Sequence, residues 1–466
     1  MDLDDLHWLE ITELATLLQA RQVSPVEIAE SMLRRIARLD PTLHAFAMLT
    51  PERALEQARR AEARLARGER IGPLDGVPIA LKDLCWTQGV ESAGGMMIHR
   101  DFVPSHEGTV SGRLRAAGTV MLGKLQLTEG AFADHHPMIT APVNPWHPDH
   151  WAGASSSGSG VATAAGLCFG SIGSDTGGSI RFPSIANGVT GIKPTWGRVS
   201  RFGAFELAAS LDHLGPMCRS AADCGLILSA IAGPDAQDPT ALQAPVPDYL
   251  AGDTGSLAGV TIGIDADYVS VGVEPEVSTS LGHAAEVLRR LGASLVPVTM
   301  PRVDQAVADW GPNCAVEAAV AHAHTFPARR SEYGPALAAF LALGQRLGGM
   351  DYQRILLRRA DFTGRMNALF DAVDLLLVPG QPYAAPTVER MAALGRDAAH
   401  VAGLLRFTAP FDMSGHPTIT LPSGFTGQGL PVAVQLAGGH LREDLLVRAG
   451  RSFQQATDWH ARHPRV

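Results

Sequence analysis

Short apolar runs separated by helical stretches constrain this chain more than any other feature. They recur at Val77 to Leu81, Val120 to Leu122, Val260 to Ile264, Ser294 to Val298, Leu375 to Val378, Thr418 to Leu421 and Val432 to Leu436. Helical patterns lie between several of them, such as Glu276 to Leu291 with Gly292 as its stop. Strands alternating with helices predict an α/β fold, a sheet covered by helices on both faces.

The N-terminal part is helical, with clearly written ends. Ser24-Pro25-Val26-Glu27 is a capping box with Pro at the first helical position, followed by Ile28, Met32, Ile36 and Leu39 on one face. Thr50-Pro51 starts a second helix carrying Leu55, Ala58, Ala61 and Leu65, closed by Gly68. A length of 466 residues admits two or three domains or one large one. The polar stretch from Gly233 to Asp253 is the best linker candidate, but it divides nothing cleanly, and no internal repeat is visible. The reading is therefore one domain over 1–466, with cover helices over about 10–68, a core over about 72–220 and a peripheral helical insertion over about 301–350.

Composition excludes several classes of function. With 46% apolar residues the chain is not disordered. With 47 acidic against 38 basic residues, a net charge of -9 and no basic run, it is not a dedicated nucleic-acid binder. Met1 to Glu10 lacks the pattern of a secretory signal, and no stretch approaches the roughly 18 uninterrupted apolar residues that cross a bilayer. Five cysteines, odd in number and without a CxxC pair, read as reduced thiols of a soluble cytoplasmic protein.

Of the 38 basic residues 35 are Arg, and the only lysines are Lys82, Lys124 and Lys193. Arg stays protonated and cannot act as a base, whereas a buried Lys loses its proton near neutrality. Either codon bias left three survivors, or lysine is kept where arginine cannot work.

Residues 153–203 carry the chemistry. Gly153-Ala-Ser-Ser-Ser-Gly-Ser-Gly160 leads into a small-residue apolar helix from Val161 to Leu167, then Gly173-Ser-Asp-Thr-Gly-Gly-Ser-Ile-Arg-Phe-Pro183 follows. A flexible linker would not run straight into a buried pattern, and neither GxxxxGK[ST] nor GxGxxG is present to cradle phosphate. The remaining reading is a hydrolytic site. The backbone N–H groups of Thr176, Gly177, Gly178 and Ser179 approach a carbonyl oxygen as an oxyanion hole, beside the Ser179 hydroxyl as nucleophile.

A serine needs a base. His135, His136, His147 and His150 are candidates, but none lies in a GxSxG or HExxH context. Lys82 ends the apolar run Gly76-Val-Pro-Ile-Ala-Leu-Lys-Asp83, where desolvation favours the neutral amine; the alternative is a plain pair with Asp83. His135 and His136 have no third ligand at helical or turn spacing for a metal, and Cys168 reads as helix core.

These motifs resemble the amidase signature family, from about Ser24 to about Phe453 and most densely over Gly153 to Gly197. Gly191-Ile-Lys-Pro-Thr195 and Gly429-Leu-Pro-Val-Ala-Val-Gln435 belong to the same match. The resemblance implies a mixed, twisted sheet surrounded by helices and a Ser–cis-Ser–Lys triad, with Ser179 as nucleophile, Lys82 as base and Ser155, after a cis peptide, as the bridge. It further implies that Asp175 and Arg181 pair beneath the nucleophile loop, and that Ala131 and Phe132 line the acyl side of the pocket, with Phe132 as ordinary core the alternative. Lys193 and Lys124 read as structural, the second opening a helix after a strand. Two of the family's usual glycines are replaced, by Ala154 and Ser157.

The implied function is hydrolysis of a small-molecule amide, aryl or alkyl, or of a carbamate, with no metal or organic cofactor, by a monomer or homodimer. Two other functions compete. The glutamine-hydrolysing component of a tRNA-dependent amidotransferase is similar, but Phe182 stands where that protein commonly has Gln, and no acid lies just upstream of Phe407. A silent ligand-binding protein would not need all three triad positions intact.

Overall fold

The computed structural model describes residues 6–252 and 255–466. The first half of the acidic Met1–Glu10 segment, and the last residue of the Gly233–Asp253 stretch, lie outside the described residues. Eleven strands are β1 Phe46–Leu49, β2 Pro78–Lys82, β3 Val120–Leu125, β4 Gly170–Asp175, β5 Thr190–Lys193, β6 His213–Cys218, β7 Thr261–Ile264, β8 Ser294–Pro297, β9 Leu375–Pro379, β10 Thr418–Phe425 and β11 Pro431–Gly438. They form one sheet in the order β1-β3-β2-β4-β6-β5-β10-β11-β9-β7-β8.

The sheet is mixed. β2 runs parallel to β3 and β4, and β7 parallel to β8 and β9, while the middle from β4 to β9 pairs antiparallel. Alternate residues of a strand face opposite sides, so strands buried at every position are covered on both. That holds for β2 to β6, β9 and β11, whereas the two outermost strands, β1 and β8, keep partial exposure. The α/β sheet covered on both faces is the fold expected from the alternation.

Each apolar run of the sequence is a strand, and the helix signals hold. The capping box at Ser24 opens helix Pro25–Leu43, with reciprocal bonds between Ser24 and Glu27. Gly68, in the left-handed conformation at φ 73°, closes helix Pro51–Arg67. Helix Pro275–Arg290 ends just before Gly292.

Four strands escape the apolar pattern: β1, β4, β5 and β6. β4, Gly-Ser-Ile-Gly-Ser-Asp, has one large apolar residue because its neighbours come too close for more. A Cβ on Gly170 would stand 2.6 Å from Ile227 Cδ1, and one on Gly173 2.9 Å from Met217 Sδ.

The helix expected over Val161–Leu167 instead spans Ser157–Ala164, because the second half of the Ser/Gly run is itself helical. Its glycines let it lie against backbone, a Cβ on Gly158 falling 2.3 Å from the Ala45 carbonyl oxygen. Lys124 does not open a helix; it lies inside β3. The insertion read over 301–350 is helical, as Asp304–Ala321 and Pro335–Arg346, but it continues past 350 in helix Gly349–Phe370. Nor is it remote from the loop after β4, since Trp310 Nε1 donates to the Thr176 carbonyl at 2.7 Å.

Candidate active site

Lys82 is the last residue of β2, and no part of its side chain reaches solvent. Its Nζ stands 2.6 Å from Ser155 Oγ, 2.9 Å from Ser156 Oγ and 2.8 Å from Ser174 Oγ. Ser155 and Ser156 come from the turn before helix Ser157–Ala164, and Ser174 from β4, the neighbour of β2. Burial lowers the pKa of the amine to about 7; Cys85, Asp175 and Asp212 oppose the shift without cancelling it. The pairing of Lys82 with Asp83 does not occur. Asp83 accepts from the N–H groups of Ala93 and Gly94, at 2.9 and 3.0 Å, and faces Lys124 Nζ at 3.7 Å.

The Ala154–Ser155 peptide is cis. The Ser156 N–H donates to the Ser179 carbonyl at 3.3 Å, which ties this turn to the loop after β4. From 155 to 195 every residue is buried except Ser179, whose side chain is partly exposed.

The loop after β4 is shaped by one buried ion cluster. Asp175 accepts from the N–H of Gly178 at 2.6 Å and of Ile180 at 2.9 Å, and from Arg181 Nη2 and Nε at 2.8 and 3.0 Å. Gly178, at φ 137°, sits where a Cβ would stand 2.3 Å from the Phe182 ring. This corrects one oxyanion donor: the Gly178 N–H is committed to Asp175. The N–H groups of Thr176, Gly177 and Ser179 have no partner among the described residues. On Gly177 a Cβ would stand 2.4 Å from Trp310 Cζ2.

Arg181 Nη2 also donates to Asp412 Oδ2 at 2.5 Å, and its Nη1 to the Thr408 carbonyl at 2.9 Å. Burial works against a charge on Asp175, but the charge and hydrogen bonds of Arg181 outweigh it and hold the carboxyl well below the usual range. Asp412, equally buried and sharing that guanidinium with a second carboxylate, is pushed well up. Removing one partner from such a cluster strands the others. Arg181→Met should cost about 3–5 kcal/mol of unfolding free energy, measured by chemical denaturation.

Ala131 lines a narrow cleft together with Ser174, Asp212, Phe205 and Leu214. Phe132 is not part of its wall; its ring stacks on Phe340 of the insertion at 3.9 Å. Asp212 accepts from the Thr176 hydroxyl at 2.6 Å and from the N–H groups of Leu207 and Ala208, and burial raises its pKa to about 6.

Of the other candidates, His135 Nε2 lies 3.1 Å from Ser157 Oγ. His136 accepts from the Met138 N–H, and His147 packs edge-on against His150. The Cys168 thiol is buried and pushed up to about 12, far from a thiolate. Lys193 Nζ donates to the His416 carbonyl at 2.7 Å and stands 3.2 Å from His213 Nε2, buried on the side of Asp412.

Sequence reasoning missed Ser156, Ser174, Asp212, Asp412 and Trp310. Ser156 and Ser174 stand beside predicted site residues and were legible as hydroxyls next to a lysine's partners. Asp412 is 231 residues from Arg181, and nothing local marks it.

The sequence matches the family described as Amidase over residues 27–447. It is 50% identical over 466 residues to the Mycobacterium tuberculosis protein named "Putative amidase AmiD", covering 100% of this chain and 98% of that one. It is also 37% identical to the A-type subunit of the glutamyl-tRNA(Gln) amidotransferase of Chloroflexus aggregans, over 99% of both chains. The native peptide amidase of Stenotrophomonas maltophilia superposes with a TM-score of 0.83 at 28% identity, over 98% of each chain. A family match spanning nearly the whole length, on the same mixed sheet, makes the chain an amidohydrolase of the amidase signature family.

Proposed function

We propose that the chain, folded as one domain, hydrolyses the C–N bond of an aryl or alkyl amide, or of a carbamate, by acyl transfer through Ser179. Neutral Lys82 takes a proton by way of Ser155 from the Ser179 hydroxyl, which attacks the carbonyl. The N–H groups of Thr176, Gly177 and Ser179 stabilise the oxyanion. The proton returns through Ser155 to the leaving nitrogen, and water repeats the sequence on the acyl-enzyme. An ammonium at Lys82 donates to three hydroxyls. In the neutral amine one contact reverses, and the Ser155 hydroxyl donates to the free lone pair.

The observation that carries this reading is the fully buried Lys82 amine 2.6 Å from Ser155 Oγ, with its proton affinity lowered to about 7. A base poised near neutrality suits this work. Apolar substituents are favoured by the wall beside the nucleophile loop, where Phe182, Val307 and Tyr383 pack with Trp151 and Trp310.

Glutaminase activity within an amidotransferase is the second reading, since similar chains carry that name. Leu405 and Arg406, just upstream of Phe407, offer no carboxylate for a substrate amino group. The compartment in this reading is the cytoplasm, which the five buried, unpaired cysteines suit, and the enzyme works without cofactor as a monomer or homodimer. Treatment with a fluorophosphonate followed by peptide mapping should place the adduct on Ser179. An adduct on Ser155 or Cys168 would overturn the assignment, and no adduct would favour a silent binding protein. Glutaminase turnover exceeding that of an aryl amide panel would favour the second reading.

A further inference from the structure

His135 lies outside the triad and outside every motif that the mechanism uses, yet its ring is held at the site. Its Nε2 stands 3.1 Å from the hydroxyl of Ser157, the first residue of helix Ser157–Ala164 and two residues after Ser155. Ser157 is also one of the two positions where the family's usual glycine is replaced, so this chain carries a hydroxyl where the common pattern has none to offer a histidine. The other ring nitrogen, Nδ1, has no hydrogen-bond partner among the described residues and is not sealed from outside, the residue being half-buried. Burial, helped by the charge of Lys82, lowers the imidazole pKa to about 4, so the ring is neutral at neutral pH and lies within electrostatic reach of the Lys82 amine.

Amide cleavage places a geometric demand on this side of the site. The leaving nitrogen receives its proton from Ser155, so it must lie beside that hydroxyl. In the tetrahedral intermediate the nitrogen becomes pyramidal, and it accepts the proton only if its lone pair points at Ser155 while its N–H points elsewhere. An acceptor for that N–H fixes the required orientation. An ester has no N–H and makes no such demand.

We propose that His135 is a substrate-contacting residue: with Nε2–H donated to Ser157 Oγ, its Nδ1 accepts the N–H of the scissile amide and turns the nitrogen lone pair toward Ser155. The site thereby selects primary and secondary amides over esters and N,N-disubstituted amides. The inference rests on the Ser179 acyl-transfer reading, because it assigns the leaving-group side from Ser155.

The test compares a secondary anilide, its N-methyl derivative and the phenyl ester of the same acyl group. His135→Phe, which keeps a ring and removes the acceptor, should lower kcat/KM for the secondary anilide about ten- to a hundredfold, the loss expected for one hydrogen bond to a reacting group. Ester and N-methyl anilide should change by less than about threefold, within the range of a substitution that removes no transition-state contact. Ser157→Gly, which frees the ring without altering it, should shift the amide-to-ester ratio in the same direction by a smaller factor. His135→Gln, which keeps an acceptor, should recover part of the loss. Equal losses on amide and ester, or an unchanged amide-to-ester ratio in both His135→Phe and Ser157→Gly, would overturn the proposal. Fluorophosphonate labelling of Ser179 in each variant separates the two readings. Normal labelling with no change in ratio refutes the role of His135 alone, whereas an unlabelled Ser179 in the wild type refutes acyl transfer itself.

Discussion

Lys82→Arg is expected to lower amide hydrolysis by about a thousandfold, nearly as far as Lys82→Ala, although it keeps the positive charge. A guanidinium stays protonated in proteins and has no lone pair to take the Ser155 proton. The Arg side chain is also longer, and Lys82 ends in a sealed pocket of three hydroxyls at 2.6 to 2.9 Å. Circular dichroism must show the variant folded before the rate is read. The same amine sets the pH dependence. Its pKa in the folded protein is lowered to about 7, so the base is protonated and silent below that value and free above it. The kcat/KM for an amide should therefore rise with pH through about 7 and level off on the alkaline side. An Arg variant that retains most of its activity, or a rate that falls as pH rises through neutrality, would remove Lys82 as the base.

Ser179→Ala should cost more, about 10⁴- to 10⁶-fold in kcat, because it removes the nucleophile and leaves only the oxyanion donors and substrate binding. Ser155→Ala should cost about 10²- to 10⁴-fold, the worth of positioned proton transfer. The two serines act through one relay, so the double variant should be no slower than Ser179→Ala. Single-turnover rates on an activated anilide give all three values. A double variant slower than Ser179→Ala by tenfold or more would show that Ser155 acts independently of the nucleophile.

Much of this molecule was legible in its sequence, and the legible parts share a physical character. The capping box at Ser24, the Gly68 stop and the apolar strands at Val77, Val120, Leu375 and Val432 are decided by residues within a few positions of one another, which periodicity and capping report directly. The proposed site was legible for the same reason: Thr176 to Ser179, Ser155 and Lys82 each lie in a short motif, and the structure brings Lys82 and Ser155 together at 2.6 Å.

Tertiary structure alone decided the rest. β4 is a strand made of small residues, because Ile227 and Met217 press against it, and no local pattern reports pressure from residues so far along the chain. Asp83, in the turn after β2, faces Lys124 rather than Lys82 because β3 brings the second lysine alongside. The Gly178 N–H, expected among the oxyanion donors, is taken by Asp175, whose charge is fixed by an arginine it shares with Asp412. The amine of Lys82 is lowered to about 7 because the fold buries it completely, among the hydroxyls of Ser155, Ser156 and Ser174. Sequence placed the candidate groups in short motifs; desolvation and long-range contact, which depend on the whole fold, set their charge and their partners.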